Sequence, residues 1–184
     1  MEEDNMSIVE KAIIVAAKAH EHQYRKATNI PYITHPFSVG MMLLKYGYSE
    51  EIVAAGILHD TVEDTDLTLD DINKEFGKII AELVQGASEK DKSLSWEERK
   101  QTTIDDLDAA QKEVCIVVCA DKLHNLRSIH KELEAVGEKV WDRFNRGREK
   151  QAWYYRAIVS KLENKLAGEQ IFIQLKNEVE KVFS

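Results

Sequence analysis

Ile52-Val53-Ala54-Ala55-Gly56-Ile57-Leu58-His59-Asp60-Thr61-Val62-Glu63-Asp64 begins as an unbroken apolar run and ends in side chains that bear chemistry. The apolar part reads as a buried helix. Burying an ionised carboxylate is costly unless it is paired or bound to a cation, so a His and an Asp placed inside such a run suggest a metal site.

Working outward, Ser49 with Glu50 and Glu51 marks the start of this helix, an N-cap oxygen followed by acids on the positive end of the dipole. The same helix is expected to carry His59-Asp60 in its last turns. Upstream, Ile8, Ala12, Val15, Ala16 and Ala19 recur at helical spacing and predict a first helix over 7–22. A loop over 24–34 leads to His35-Pro36, where proline suits the first turn of a second helix reaching Tyr46. Downstream, Thr68 with Asp71 and Ser95-Trp96-Glu97-Glu98 resemble capping boxes, and Gly77 separates two short helices over 72–76 and 78–85. A long helix is expected over 111–131, apolar in its middle except for Asp121. Clustered aromatics and cations follow over 141–166, and an amphipathic helix over 171–183.

With two prolines, eight glycines and no apolar/polar alternation long enough for a strand, the chain reads as all-α. Its 184 residues, 43% hydrophobic, suit a single domain with its core over about 7–166 and a C-terminal helix over about 170–183. A net charge of −8 argues against a general nucleic-acid or membrane-surface binder. The acidic opening at Glu2, Glu3 and Asp4, and Lys18 breaking the apolar stretch over 12–17, fit neither a signal peptide nor a membrane span, so a cytoplasmic protein is expected. Cys115 and Cys119 share one helix face and read as reduced packing residues.

Adjacent helical side chains diverge by about 100°, so His59 and Asp60 alone cannot enclose an ion. His35 at a helix entrance and Asp121 on another apolar helix complete a candidate set: His35, His59, Asp60 and Asp121. Two imidazoles and two carboxylates without thiolate suit Mn2+, Fe2+ or Zn2+. Taken singly, His35 is equally a hydrogen-bonded core residue, and Asp121 a partner for Lys122. Glu63 and Asp64 follow His59 and Asp60 by one turn, within reach of the same water.

The order His35, His59-Asp60, Asp121 resembles the H…HD…D signature of the HD phosphohydrolase superfamily, all-α metal-dependent helical bundles. Tyr24-Arg25-Lys26, Pro31-Tyr32-Ile33-Thr34-His35-Pro36, Leu58-His59-Asp60-Thr61-Val62-Glu63-Asp64-Thr65 and Ala120-Asp121-Lys122-Leu123-His124-Asn125-Leu126-Arg127 are similar to the hydrolase domain of RelA/SpoT proteins, and most of all to stand-alone small alarmone hydrolases. The resemblance runs over about 8–130. It implies removal of the 3′-pyrophosphate from ppGpp or pppGpp, normally with Mn2+, a catalytic role for Glu63 and Asp64, and a hydrolase without a synthetase domain.

The remaining candidates are contacts to a small guanine nucleotide. A guanidinium holds phosphate through two parallel bonds, which fits Arg25 with Lys26, and Tyr24 can stack on a purine, although Arg25 and Lys26 also read as ordinary loop charges. Asn125, four residues after Asp121, suits the ribose or a ligand-orienting role, with Lys122 beside it. The basic stretch over 143–150, Arg148 within it, reads either as a phosphate clamp or as a solvated helix face. Trp153-Tyr154-Tyr155 reads as core packing. The chain departs from the alarmone hydrolases at Gly86-Ala87-Ser88-Glu89-Lys90, at Trp96 and in the loop Ala27-Thr28-Asn29-Ile30, all expected near the substrate rim. Two rival readings are therefore a related phosphohydrolase acting on another nucleotide and a nucleotide sensor without turnover.

Overall fold

The computed structural model describes residues 6–26, 28–89 and 91–184. The acidic residues Glu2, Glu3 and Asp4, together with Ala27 and Lys90, lie outside the described residues. The chain forms two compact units, one ending at Ser88 and one beginning at Glu89. Both are helical. An isolated one-residue bridge between Tyr24 and Pro31 stands apart from the helices, and none of the helices among the described residues is long and apolar enough to cross a membrane.

The first unit contains α1 (Ile8–Ala19), α2 (Thr34–Lys45), α3 (Glu50–Leu58), α4 (Thr61–Asp64), α5 (Leu69–Phe76) and α6 (Lys78–Ala87). Every residue of α3 from Ile52 to Leu58 is buried. A helix apolar all round must be covered on all sides, and α3 accordingly packs against α1, α2 and α6. Each fully buried Leu, Ile or Val side chain contributes about 1.5–3 kcal/mol. Glycine allows the close crossing of α2 and α3: a methyl on Gly40 would overlap the Ile57 side chain, and one on Gly56 would overlap Leu43.

Capping chemistry sets the helix starts. Ser7 with Glu10 and Thr68 with Asp71 both form complete capping boxes. Ser49 behaves differently from the sequence expectation: its backbone is extended, but its side chain makes no cap bond. Its hydroxyl serves the Glu51 carboxyl instead, which it and the Glu51 backbone N–H, the larger influence, hold below the usual carboxylate range. Gly77, at φ +84°, turns the chain between α5 and α6.

The second unit contains α7 (Trp96–Ala109), α8 (Lys112–Val136), a 3-10 segment (Gly137–Arg143), α9 (Gly147–Leu166) and α10 (Gln170–Phe183). Ser95 and Glu98 form the expected capping box of α7. The long helix α8 runs to Val136, beyond the expected Lys131, and stops where Gly137 adopts φ +64°. It packs against α9, α10 and the 3-10 segment, with Val114 to Asp121 continuously buried. Cys115 and Cys119 are free thiols within that run, and burial pushes both up from the usual thiol range, consistent with packing rather than reactivity. On α10, Ile171, Phe172, Leu175, Val179, Val182 and Phe183 form the buried stripe. The aromatic triplet divides: Tyr154 and Tyr155 are buried as expected, whereas Trp153 is 38% exposed and leans on Trp96 with ring centroids 6.2 Å apart.

The α2–α3 crossing yields a test. Gly40→Ala should destabilise the protein by about 1–3 kcal/mol, the usual cost of overpacking a filled core. Denaturant titration checks it, and Gly47→Ala, with open space around its Cβ position but a positive φ, serves as the backbone-strain control.

Candidate functional site

The apolar helix α3 stops at Leu58, one residue before the chemistry begins. His59 and Asp60 form a turn between α3 and α4 rather than the last turns of one helix, which corrects the sequence expectation. Side-chain bonds account for the break. The Thr61 hydroxyl donates to the Leu58 carbonyl at 2.6 Å, and the His59 ring bonds the Gly56 carbonyl through Nδ1 at 2.7 Å. Carbonyls that a continuing helix would pair with backbone N–H groups are thus engaged by side chains. The helical path resumes when Asp64 N donates to Asp60 O at 2.9 Å.

The His59 contact also fixes its tautomer. A backbone carbonyl only accepts, so Nδ1 carries the proton and, in the neutral ring, Nε2 presents its lone pair. That nitrogen lies 3.2 Å from Asp60 Oδ1, and His35 Nε2 lies 3.4 Å from Asp60 Oδ2. The two rings meet edge to face at 5.2 Å, both imidazoles are about 2% exposed or less, and each offers a ligand nitrogen within 4.8 Å of the other. His35 holds this position because α2 begins at Thr34, whose hydroxyl donates to the Pro31 carbonyl at 2.8 Å.

Tyr32, Gln23 and His20 complete the surroundings. The Tyr32 hydroxyl donates to Asp60 Oδ2 at 2.7 Å and lies 3.5 Å from Asp64 Oδ2. Its ring packs against those of His20 and His35, at 5.0 and 6.0 Å. Gln23 accepts from His20 Nδ1 at 2.8 Å and donates to the Asp64 carbonyl at 2.6 Å, tying the end of α1 to α4. Ser88 Oγ reaches the His59 carbonyl at 3.1 Å. None of Tyr32, Gln23, His20 and Ser88 was a site candidate. Tyr32 had a signal in the Pro31–Pro36 motif, but Gln23 and His20 lie too far from Asp64 in sequence for spacing to relate them.

Of the predicted site residues, the first unit therefore brings together His35, His59, Asp60 and Asp64. Glu63 lies on α4, half-buried. Tyr24 is 60% exposed on the 24–31 bridge, and Arg25 packs its guanidinium 5.7 Å from the Tyr32 ring, while Lys26 is exposed.

In the second unit Asp121 is buried on α8 and held on both oxygens: Lys122 Nζ at 2.7 Å from one and Asn125 Nδ2 at 2.6 Å from the other. Asn125 thus orients the acid four residues before it. Burial acts against the Lys122 charge, yet Asp121 and the nearby Tyr154 and Tyr155 hold it well above the usual lysine range. In the basic stretch over 143–150, Arg143 pairs with Glu132, Arg146 with Glu97 at 3.0 Å, and Arg148 donates to the Ser184 carbonyl at 2.9 Å, at the end of α10.

The His35–His59–Asp60 group suits a divalent cation. With Nδ1 of His59 protonated, its Nε2 lone pair faces an Asp60 oxygen at 3.2 Å, two acceptors that repel unless positive charge lies between them, and mixed imidazole and carboxylate donors match Mn2+, Fe2+ or Zn2+.

Comparisons with known proteins agree with this chemistry. The HD domain family model matches residues 12–149. The chain is 36% identical over 132 residues to a GTP pyrophosphokinase of Streptomyces coelicolor, covering 70% of this chain and 16% of that protein. It thus spans a small part of such bacterial relatives. With a guanosine-3′,5′-bis(diphosphate) 3′-pyrophosphohydrolase of Danio rerio it shares 35% identity over 128 residues, covering 68% of this chain and 71% of that protein. A solved structure, described as a metazoan ortholog of SpoT that hydrolyzes ppGpp and plays a role in starvation responses, superposes with a TM-score of 0.73. It is 26% identical and covers 98% of this chain and 96% of that one.

The Tyr32 contact with Asp60 gives a prediction that metal titration checks. Tyr32→Phe should keep the fold and weaken Mn2+ binding about tenfold or more, as loss of a partner that orients a ligand usually does.

Proposed function

This chain belongs to the HD domain family, and we propose that within it the protein is a metal-dependent 3′-pyrophosphohydrolase of ppGpp and pppGpp. The observation that carries the reading is the facing of His35, His59 and Asp60, a buried acceptor set with one tautomer fixed by Gly56. In this proposal Asp121 is the fourth ligand, and the two units act as one HD-type hydrolase domain, a reading supported by the span of the family match over 12–149. The ion is proposed to be Mn2+, with Fe2+ or Zn2+ compatible with the same donors.

A divalent cation held there lowers the pKa of a bound water and polarises a phosphate oxygen. The remaining work falls to the chain. A water oxygen attacks the phosphorus attached to O3′, the P–O3′ bond breaks, and its electron pair with a proton goes to O3′. GDP or GTP and pyrophosphate leave. Glu63 and Asp64 handle the protons, one accepting from the attacking water and one supplying O3′. Tyr32 orients the Asp60 carboxylate by donating to its Oδ2, beside Asp64. Asn125 fixes the carboxylate plane of Asp121, and Lys122 balances its charge. Tyr24, Arg25 and Lys26 are proposed to receive the guanine and its 5′-phosphates. Arg148 is left out of the substrate set because it serves α10. A cytoplasmic location fits a guanine-nucleotide substrate.

The test is a product assay. Purified protein given ppGpp and Mn2+ should release GDP and pyrophosphate in equal amounts, and chelator should abolish release. Orthophosphate as the phosphorus product, or turnover of another nucleotide with none of ppGpp, sinks the proposal. Glu63→Gln should retain Mn2+ and lose about 10²–10⁴-fold in rate, the usual contribution of a general acid or base. Asp121→Ala should lose both activity and metal.

A further inference from the structure

The second unit holds a cationic cluster of which the proposed reaction has used only Lys122. Arg99 and Lys100, on the first turns of α7, both pair with Glu89, Arg99 at 2.7 Å. The Lys100 and Lys122 ammonium groups lie 4.9 and 5.7 Å from the centroid of the same Tyr154 ring, so the aromatic links Lys100 to the lysine that pairs with Asp121. The three cationic side chains are between 16% and 25% exposed, and Glu89 is 12% exposed. All of this lies within the unit that begins at Glu89.

The cluster is short of negative charge. Glu89 is shared by Arg99 and Lys100, and Lys122, against the same Tyr154 ring, has Asp121 as its partner, so if Asp121 serves a metal ion the cations outnumber the acids they pair with, in a chain whose net charge is −8. Buried charge left unbalanced is costly. The cluster is also short of acceptors. Among the described residues, the Tyr154 hydroxyl and Arg99 Nε are buried polar groups without a hydrogen-bond partner, and Tyr154 is only 3% exposed. Excess cations with spare donors match an oxyanion of more than one charge and many acceptor oxygens. Glu89 lies outside any helix, between α6 and α7, so its side chain and backbone can leave the cations without unwinding an element. Burial is the largest single influence on the Glu89 carboxyl and acts to raise it, but Lys100, Lys122 and Arg99 together hold it below its usual range, so it is a charged competitor at neutral pH.

We propose that Arg99, Lys100 and Lys122 form the subsite for the pyrophosphate group of the substrate, and that Glu89 occupies these cations until pyrophosphate displaces it. This rests on the pyrophosphohydrolase reading above and names the side chains that would recognise the released group. Lys122 places the subsite next to a proposed metal ligand, where the group being cleaved must lie. Glu89 then acts as an internal stand-in for phosphate: it keeps the cations paired and ordered in the free protein and sets a threshold that a singly charged anion does not cross.

Calorimetric titration of the full chain with inorganic pyrophosphate, in chelator so that turnover plays no part, tests the subsite. Glu89→Gln should tighten pyrophosphate binding about tenfold by removing the competitor, and Lys100→Met should weaken it about tenfold, the size of one charge-assisted hydrogen bond. Orthophosphate should respond less to both changes. In Mn2+ and ppGpp, Lys100→Met should raise KM by more than it lowers kcat, and Lys100→Arg should restore much of the loss. Equal pyrophosphate affinity in wild type, Glu89→Gln and Lys100→Met overturns the subsite, as does weaker binding in Glu89→Gln, which would make Glu89 a support for the cations. If Lys100→Met fails to fold, Glu89→Gln decides alone. The two proposals separate: wild type that hydrolyses ppGpp with indifferent pyrophosphate affinities refutes only the subsite, whereas affinities that respond as stated without ppGpp turnover refute only the reaction.

Discussion

Two imidazole nitrogens within 3.4 Å of one carboxylate, in a region nearly closed to water, set the terms for the rest of the first unit. At low effective dielectric the His59 Nε2 lone pair facing that carboxylate is unfavourable unless positive charge lies between them, so the surrounding structure has to impose it. The imposition is built from apolar burial. Helix α3 is covered on every side, and Gly40 and Gly56 let α2 approach it closely enough for His35 to meet His59. Gly56 has a second part in the same design, since its carbonyl fixes the His59 tautomer. One residue thus contributes both the close packing and the chemical state of the ring.

The break after Leu58 lies at the same site. Adjacent side chains on a regular helix diverge by about 100°. Between the end of α3 at Leu58 and the start of α4 at Thr61, His59 and Asp60 keep right-handed helical dihedrals, and Asp60 lies within 3.4 Å of both imidazoles. The apolar pattern did not mark the position of this turn. Apolar periodicity ran through Leu58 and Val62 without interruption, and the signal lay in Thr61 and Thr65, whose hydroxyls take helix carbonyls at 2.6 Å. Such local competition is invisible to a hydrophobic count.

The fold class and most helices were legible because capping boxes at Thr68 and Ser95 and stop glycines at Gly77 and Gly137 are local signals. So was the pairing of chemistry with burial at His35, His59 and Asp121, each a buried polar residue on a helix or at its end, whereas Asp60 is only partly buried. The charged surface was less legible. Arg148 and its neighbours formed a basic run on paper, yet their partners Glu132, Glu97 and the carbonyls of α10 lie far away in sequence. Conversely, Glu89, Arg99 and Lys100 gave no run at all, and only folding collects them around Tyr154. Charge density along a chain is therefore a poor guide to where free positive potential ends up. What matters is how many acids each cation finds.

That distinction bears on whether the protein turns over its ligand or only senses it. A sensor needs complementary charge and shape, which an acceptor set and a cationic cluster would supply between them. It has no need of acids held beside a ligand carboxylate. Yet the Asp64 carboxylate sits 3.5 Å from the hydroxyl that Tyr32 gives to Asp60, and its carbonyl is fixed by Gln23, which in turn is oriented by a buried histidine. Each of those contacts costs side-chain entropy, and together they restrain a carboxylate one turn past the proposed metal ligands. Placing a further negative charge where a polyphosphate is to bind weakens ground-state affinity. It becomes favourable only if that carboxylate exchanges a proton as the phosphorus–oxygen bond breaks, so the effort spent restraining Asp64 favours catalysis over sensing.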